Sequence, residues 1–229
     1  MVVVNQSWAN DSQRPTLGNM PGFYEDEAPL RDAAGSVPLT AIEPDRPPRG
    51  GIILLHEANT LPAGLLEVMA LLAGEGWIVV SPNLFHRGKT DGEVFGADLF
   101  ADFDACHDWL VGRGVFEDTV GVLGFNDAGV AALVVATNRP LGAAISIAAR
   151  GILTPVAEDA PTLVDAAANI RVPWLGLYAT DDPDIPAEHL SLLREAAGRS
   201  GVASNVVASA DALIESQNRI LDWFDSYLR

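Results

Sequence analysis

Continuous apolar runs alternate with stretches of helical period along most of this chain, and few folds accommodate such a pattern. "GIILLH" (51–56), "WIVVSP" (77–82), "TVGVLGF" (119–125), "GAAISIAA" (142–149) and "VPWLGLYAT" (172–180) lack the polar alternation of a half-exposed strand. Each reads as a strand buried on both faces. Helical spacing marks "LPAGLLEVMALLAGEG" (61–76), "ADLFADFDACHDWLVGRG" (97–114), "DAGVAALVVATN" (127–138), and later 186–201 and 211–229. Strand–helix alternation implies an α/β fold, a mostly parallel central sheet flanked by helices on both faces. "SVPLTAIEP" (36–44) fits an edge strand and "ASNVVAS" (203–209) a short one. Residues 1–35 are polar and rich in Asn, Asp, Pro and Gly, so they read as an irregular arm with room for a short strand. Residues 36–229 then form one domain, and 150–170 carry no clear period.

Charge and composition narrow the partners. Formal net charge is −17, so nucleic-acid phosphates and an anionic membrane surface would be repelled. No apolar run reaches the ~18 residues of a membrane helix, and the N-terminus lacks the basic and apolar regions of a signal peptide. The single cysteine, Cys106, lies on the apolar face of a helix; it reads as inert core and fits a reducing cytoplasm. No H-E-x-x-H or Cys/His spacing implies a metal, although His56 and His86 follow strands. "GVLGFNDAG" is neither a dinucleotide fingerprint nor a phosphate loop, and Asp127 would oppose phosphate there. The expectation is therefore a small-molecule ligand, no metal and no cofactor; oligomeric state is not legible.

In an open parallel sheet, ligands bind beyond the carboxyl ends of the strands. The residues at those positions are His56–Glu57–Ala58, Asn83 to Arg87, Asn126–Asp127, Ala149–Arg150, Asp181–Asp182 and the region of Asp211.

Four segments, "GIILLHEANTL", "GWIVVSPNLFHRG", "VGVLGFNDAG" and "VPWLGLYATDDPDIP", in this order resemble the dienelactone hydrolase family of the α/β-hydrolase superfamily. The resemblance implies that Glu57 ends the first core strand and that Arg87 joins it in the pocket. It places the family's nucleophile on Asn126, its triad acid on Asp182 and its histidine on Asp211. Two triad members are thus replaced. Triad chemistry needs a nucleophile whose proton a base can remove; an amide nitrogen, its lone pair delocalised, does not attack esters.

What the resemblance leaves is a strand–turn–helix scaffold with Ala58 and Asp127 N–H groups as an oxyanion hole. Asp182 and Asp211 would then form an acid/base pair, because like charges sharing a pocket push one pKa up. Asn126, Glu57, Arg87 and His56 would be polar anchors for a small carbonyl-containing metabolite. Isomerisation, epimerisation or cyclisation suits that set. A silent binding or partner protein is the alternative, and an ester or lactone hydrolase using another residue is a third. Arg87 could hold a substrate oxyanion or carboxylate, or simply pair with Glu57.

Overall fold

A computed structural model describes residues 22–31, 34–88, 94–210 and 214–229. Strands are β1 (Phe23–Pro29), β2 (Ser36–Ile42), β3 (Gly50–Leu55), β4 (Trp77–Pro82), β5 (Val120–Phe125), β6 (Ala143–Ile147), β7 (Trp174–Ala179) and β8 (Ser204–Ser209). Helices are α1 (Ala63–Glu75), α2 (Ala97–Val111), α3 (Asp127–Asn138), α4 (Leu163–Ala168), α5 (Ala187–Gly198) and α6 (Ile214–Tyr227). The strands form one sheet in the order β1-β2-β4-β3-β5-β6-β7-β8. β1 and β2 run antiparallel, β2 pairs antiparallel with β4, and every other pair is parallel.

The continuous apolar runs become the sheet's centre. Every residue of β3, β4, β6 and β7 is buried, as helices on both faces require. α1 and α6 cover one face through Met69, Leu72, Ile220 and Phe224. The opposite face packs Phe103, Leu133, Leu163 and Leu193 of α2 to α5. Cys106 lies in that layer, fully buried, and burial pushes its thiol up beyond the usual range.

Two expectations need correction. The strand for which the arm left room is "FYEDEAP", the edge strand β1. β2, expected at the edge, is therefore an inner strand. The stretch 150–170 contains α4, a six-residue helix whose start Thr162 caps by accepting from the Asp165 N–H. Such a short helix leaves too few turns for a period to show. Residues 1–21 lie outside the described residues. Among those described, no helix is long and apolar enough to cross a membrane.

Candidate active site at the β5–α3 elbow

Asn126 joins β5 to α3 with φ 51° and ψ −122°, a conformation that costs a non-glycine residue energy and persists only where its surroundings enforce it. The enforcement is visible. A Cβ on Gly124 would lie 2.0 Å from the Ala128 carbonyl oxygen, and one on Gly129 would lie 3.1 Å from Ala149 Cβ. The helix thus crosses the strand at backbone contact, and only glycine fits. Asn126 N–H donates to the Ile147 carbonyl at 2.9 Å, and the Asn126 carbonyl accepts from Gly129 at 2.9 Å. Behind the turn, Trp174 Nε1 donates to Ser146 Oγ at 3.0 Å, and that hydroxyl donates to the Gly129 carbonyl at 2.7 Å. This buried polar chain ties the start of α3 to β6 and β7.

Glu57 faces this elbow. Its Oε1 accepts from Asn126 Nδ2 at 3.0 Å and its Oε2 from the Asp127 backbone N–H at 3.1 Å. The carboxylate therefore occupies a donor at a helix N-terminus, where negative charge is favoured. Ala58, half-buried one residue on, has an N–H with no hydrogen bond among the described residues. Asp127 adds a second carboxyl. Its Oδ1 is buried without a hydrogen-bond partner among the described residues. Burial pushes this carboxyl above the usual carboxylate range, and the Arg150 guanidinium pulls it partly back.

Arg87 is not Glu57's partner. Its Nη1 lies 2.8 Å from Asp102 Oδ1, and its Nε 3.9 Å from Asp98. Asp102 on α2 is 1% exposed and also receives His86 Nε2 at 3.3 Å. Burial pushes the Asp102 carboxyl up, against the pull of Arg87 and His86. The pairing of Arg87 with Glu57 expected from the sequence is thus corrected: its charge is met by a buried acid on the next helix.

Asp182, 8% exposed, follows β7 as expected. Its Oδ1 accepts from the Asp184 N–H at 3.0 Å, and its carbonyl accepts from Ile185 N–H at 3.2 Å. α5 itself begins after its N-cap residue, Pro186, with no side-chain cap. The acid therefore shapes its own turn; the contacts it makes do not run to Asn126 or Glu57. Asp211 lies outside the described residues.

His56, 5% exposed, lines a groove of about 710 Å³ beside the start of α1. Its ring lies 6.5 Å from that of Phe85. Sequence reasoning missed Asp102 and the groove. Asp102 sits in "ADFDAC", where its burial has no signature; the groove is assembled from separate strands. Among the described residues, no three His, Cys, Asp or Glu side chains converge as a metal site.

Comparison with known proteins adds three findings. The profile of the dienelactone hydrolase family matches residues 38–213. A protein of Yersinia pestis, provisionally named a carboxymethylenebutenolidase, is 22% identical, with 90% of each chain covered. A protein of Escherichia coli strain K12 with the same provisional name is also 22% identical, covering 93% of this chain and 85% of its own. Among solved structures, a Klebsiella pneumoniae protein provisionally called a dienelactone hydrolase superimposes with a TM-score of 0.76 at 20% identity, covering 90% of this chain and 99% of its own. The dienelactone hydrolase of Anabaena variabilis gives 0.68 at 17%, covering 91% and 100%. At such identities the structures speak for the fold: an α/β-hydrolase sheet.

Proposed function

We propose, from the premise that this chain belongs to the dienelactone hydrolase family, that it moves protons on a small carbonyl-containing metabolite rather than forming an acyl-enzyme. The observation that carries this reading is the Glu57 carboxylate bridging Asn126 Nδ2 and Asp127 N–H at 3.0 and 3.1 Å. The elbow presents an amide where acyl transfer needs a nucleophile. The ionisable group nearest its focus is a carboxylate, which suits a general base.

The chemistry follows from competition for the same donors. A substrate carbonyl oxygen that displaces Glu57 from the Asp127 N–H would also meet the Asn126 amide, and the Ala58 N–H is the further donor that the family resemblance implies. These donors would stabilise an enolate oxygen as charge develops there. The displaced Glu57 is then the base for the proton on the adjacent carbon. Return of that proton to another atom or face gives isomerisation or epimerisation. On an unsaturated carbonyl, Glu57 would instead take the proton of an internal hydroxyl as its oxygen adds to the β-carbon. Return of that proton to the α-carbon of the enolate so formed gives cyclisation. Asp182 and Asp211 remain the proposed second acid/base groups. The names of the relatives point towards lactone opening; here the route to it would be water activated by Glu57.

The test is α-proton exchange in D2O, followed by NMR over a panel of lactones and ketones, beside p-nitrophenyl acetate hydrolysis. Exchange without net hydrolysis is expected, reduced by about 100-fold or more in Glu57→Gln. Hydrolysis that disappears in Asn126→Ala would overturn the reading. Binding of panel members with neither exchange nor hydrolysis would favour a silent binding protein, in which Glu57 simply fills the oxyanion donors.

A further inference from the structure

We infer that the groove beside His56 binds a small polar molecule and selects those carrying an ammonium group over those carrying a carboxylate, independently of the proton-transfer reading of the elbow.

On one face α1 and α6 cover β3 to β7 and reach β2 at Ile42 and β1 at Phe23; the groove opens between the rest of β1 and β2 and the start of α1. Side chains at i and i+2 of a strand share a face, and directly paired residues stand side by side. Glu25 pairs with Thr40, Glu27 with Pro38, and Thr40 in turn with Ser81. This row is the groove floor. Leu61 and Leu66 supply an apolar wall at the start of α1, and His56 and Asn83 complete the lining. A cavity of about 710 Å³ is the size that takes a small metabolite.

Its charge is one-sided. Glu25 has no hydrogen-bond or ion-pair partner among the described residues, and Glu27 is bonded through its side chain only by the Ser36 hydroxyl. Asp26 also lines the groove, but its carboxylate is turned to the other face, accepting from Trp109 Nε1 at 3.0 Å and Arg113 Nη2 at 2.8 Å. No Lys or Arg is among the described lining residues. The guanidinium that follows β4, Arg87, is met by Asp102 at 2.8 Å. A carboxylate-bearing ligand would face Glu25 and Glu27 with no countercharge; an ammonium would be drawn to them. The hydroxyls of Thr40 and Thr60 supply further contacts for a polar body.

Three matched probes test this: γ-butyrolactone, its α-amino derivative and a ring-carboxylate derivative. They are titrated by calorimetry and by amide NMR shifts at about pH 6, where the amine is protonated. The expected order is ammonium, neutral, carboxylate, with at least about ten-fold between the charged pair and a gap that narrows as salt is added. Shifts should map to Thr40 and His56, and the preference should collapse in Glu25→Gln/Glu27→Gln, a change of two exposed side chains. Equal affinities, a preference for the carboxylate, no binding of any probe up to about 10 mM, or a preference that survives the double variant would each overturn the inference. Selective binding without proton exchange would leave the groove standing and remove the proton-transfer reading. Exchange without selectivity would do the reverse.

Discussion

At the β5–α3 elbow the backbone is held in a conformation that favours glycine, and the side chain there is the amide of Asn126. In the loop after β7 no residue from Thr180 to Pro186 takes a positive φ, and Asp182 keeps the residue type the family resemblance asks for. The two stations persist for opposite reasons. The elbow is fixed by packing: Gly124 against Ala128, Gly129 against Ala149, and the buried Trp174–Ser146–Gly129 chain. None of these contacts involves the Asn126 side chain, so the turn survives whatever residue sits on it. Asp182 is kept in place by its own turn, accepting from Asp184 N–H. An aspartate there needs no catalytic role to account for it. An acid that its own turn accounts for is thus a weaker pointer to chemistry than a strained backbone.

The largest effect expected from this contrast is at Gly124. A methyl group there would meet the Ala128 oxygen at 2.0 Å and its carbonyl carbon at 2.6 Å. Both are backbone atoms at the start of a helix and cannot swing aside. Gly124→Ala should cost about 3 kcal/mol or more, a fall in Tm of roughly 6–12 °C, read by calorimetry. A variant that melts within about 2 °C of the parent would mean the elbow is not held by packing at all.

Asp182 gives the next effect and divides structure from chemistry. Asp182→Ala removes the acceptor for Asp184 N–H and should cost about 1 kcal/mol, roughly 2–4 °C. Asp182→Asn keeps an oxygen acceptor and should restore most of that stability. If the acid only shapes its turn, the Asn variant also keeps the exchange rate of the parent. If it belongs to the acid/base pair, the rate falls by about ten-fold or more while Tm stays unchanged, and the two stations become parts of one site.

The same contrast explains what could be read before the structure. The sheet, its flanking helices and the elbow were legible because burial on both faces leaves unbroken apolar runs and close crossing leaves glycines. β1 was not: in "FYEDEAP" only Ala28 is buried, since β1 lies at the sheet's edge. Glu57 could be placed at the carboxyl end of β3, but its bridge to Asn126 spans 69 residues and has no local signature. Arg87's ion-pair partner was not legible, because Asp102 looks like any solvated helix acid until α2 docks and leaves it 1% exposed. The groove draws its floor from β1, β2 and β4, each supplying a polar residue that alone reads as surface.

The smallest effect concerns Asp127, where the elbow's packing and its charge pull against each other. Burial raises this carboxyl's pKa, and Arg150 only partly offsets it. An unfolded aspartate titrates near about pH 3.9. Between that pH and the raised folded value, the folded state binds more protons than the unfolded one. Stability must then fall as pH rises through the window and stay lower above it. Asp127→Asn removes the penalty while keeping the backbone N–H that Glu57 uses. The variant should therefore melt above the parent at pH 7, by roughly 1–2 °C. The gain should vanish below about pH 4, where the parent's carboxyl is neutral in both states. Thermal melts across that range decide it. A variant less stable than the parent at pH 7 would mean that attraction to Arg150 and the N-terminus of α3 outweighs burial. Asp127 would then be a fixed anion beside Glu57, and the elbow would be held by charge as well as by packing.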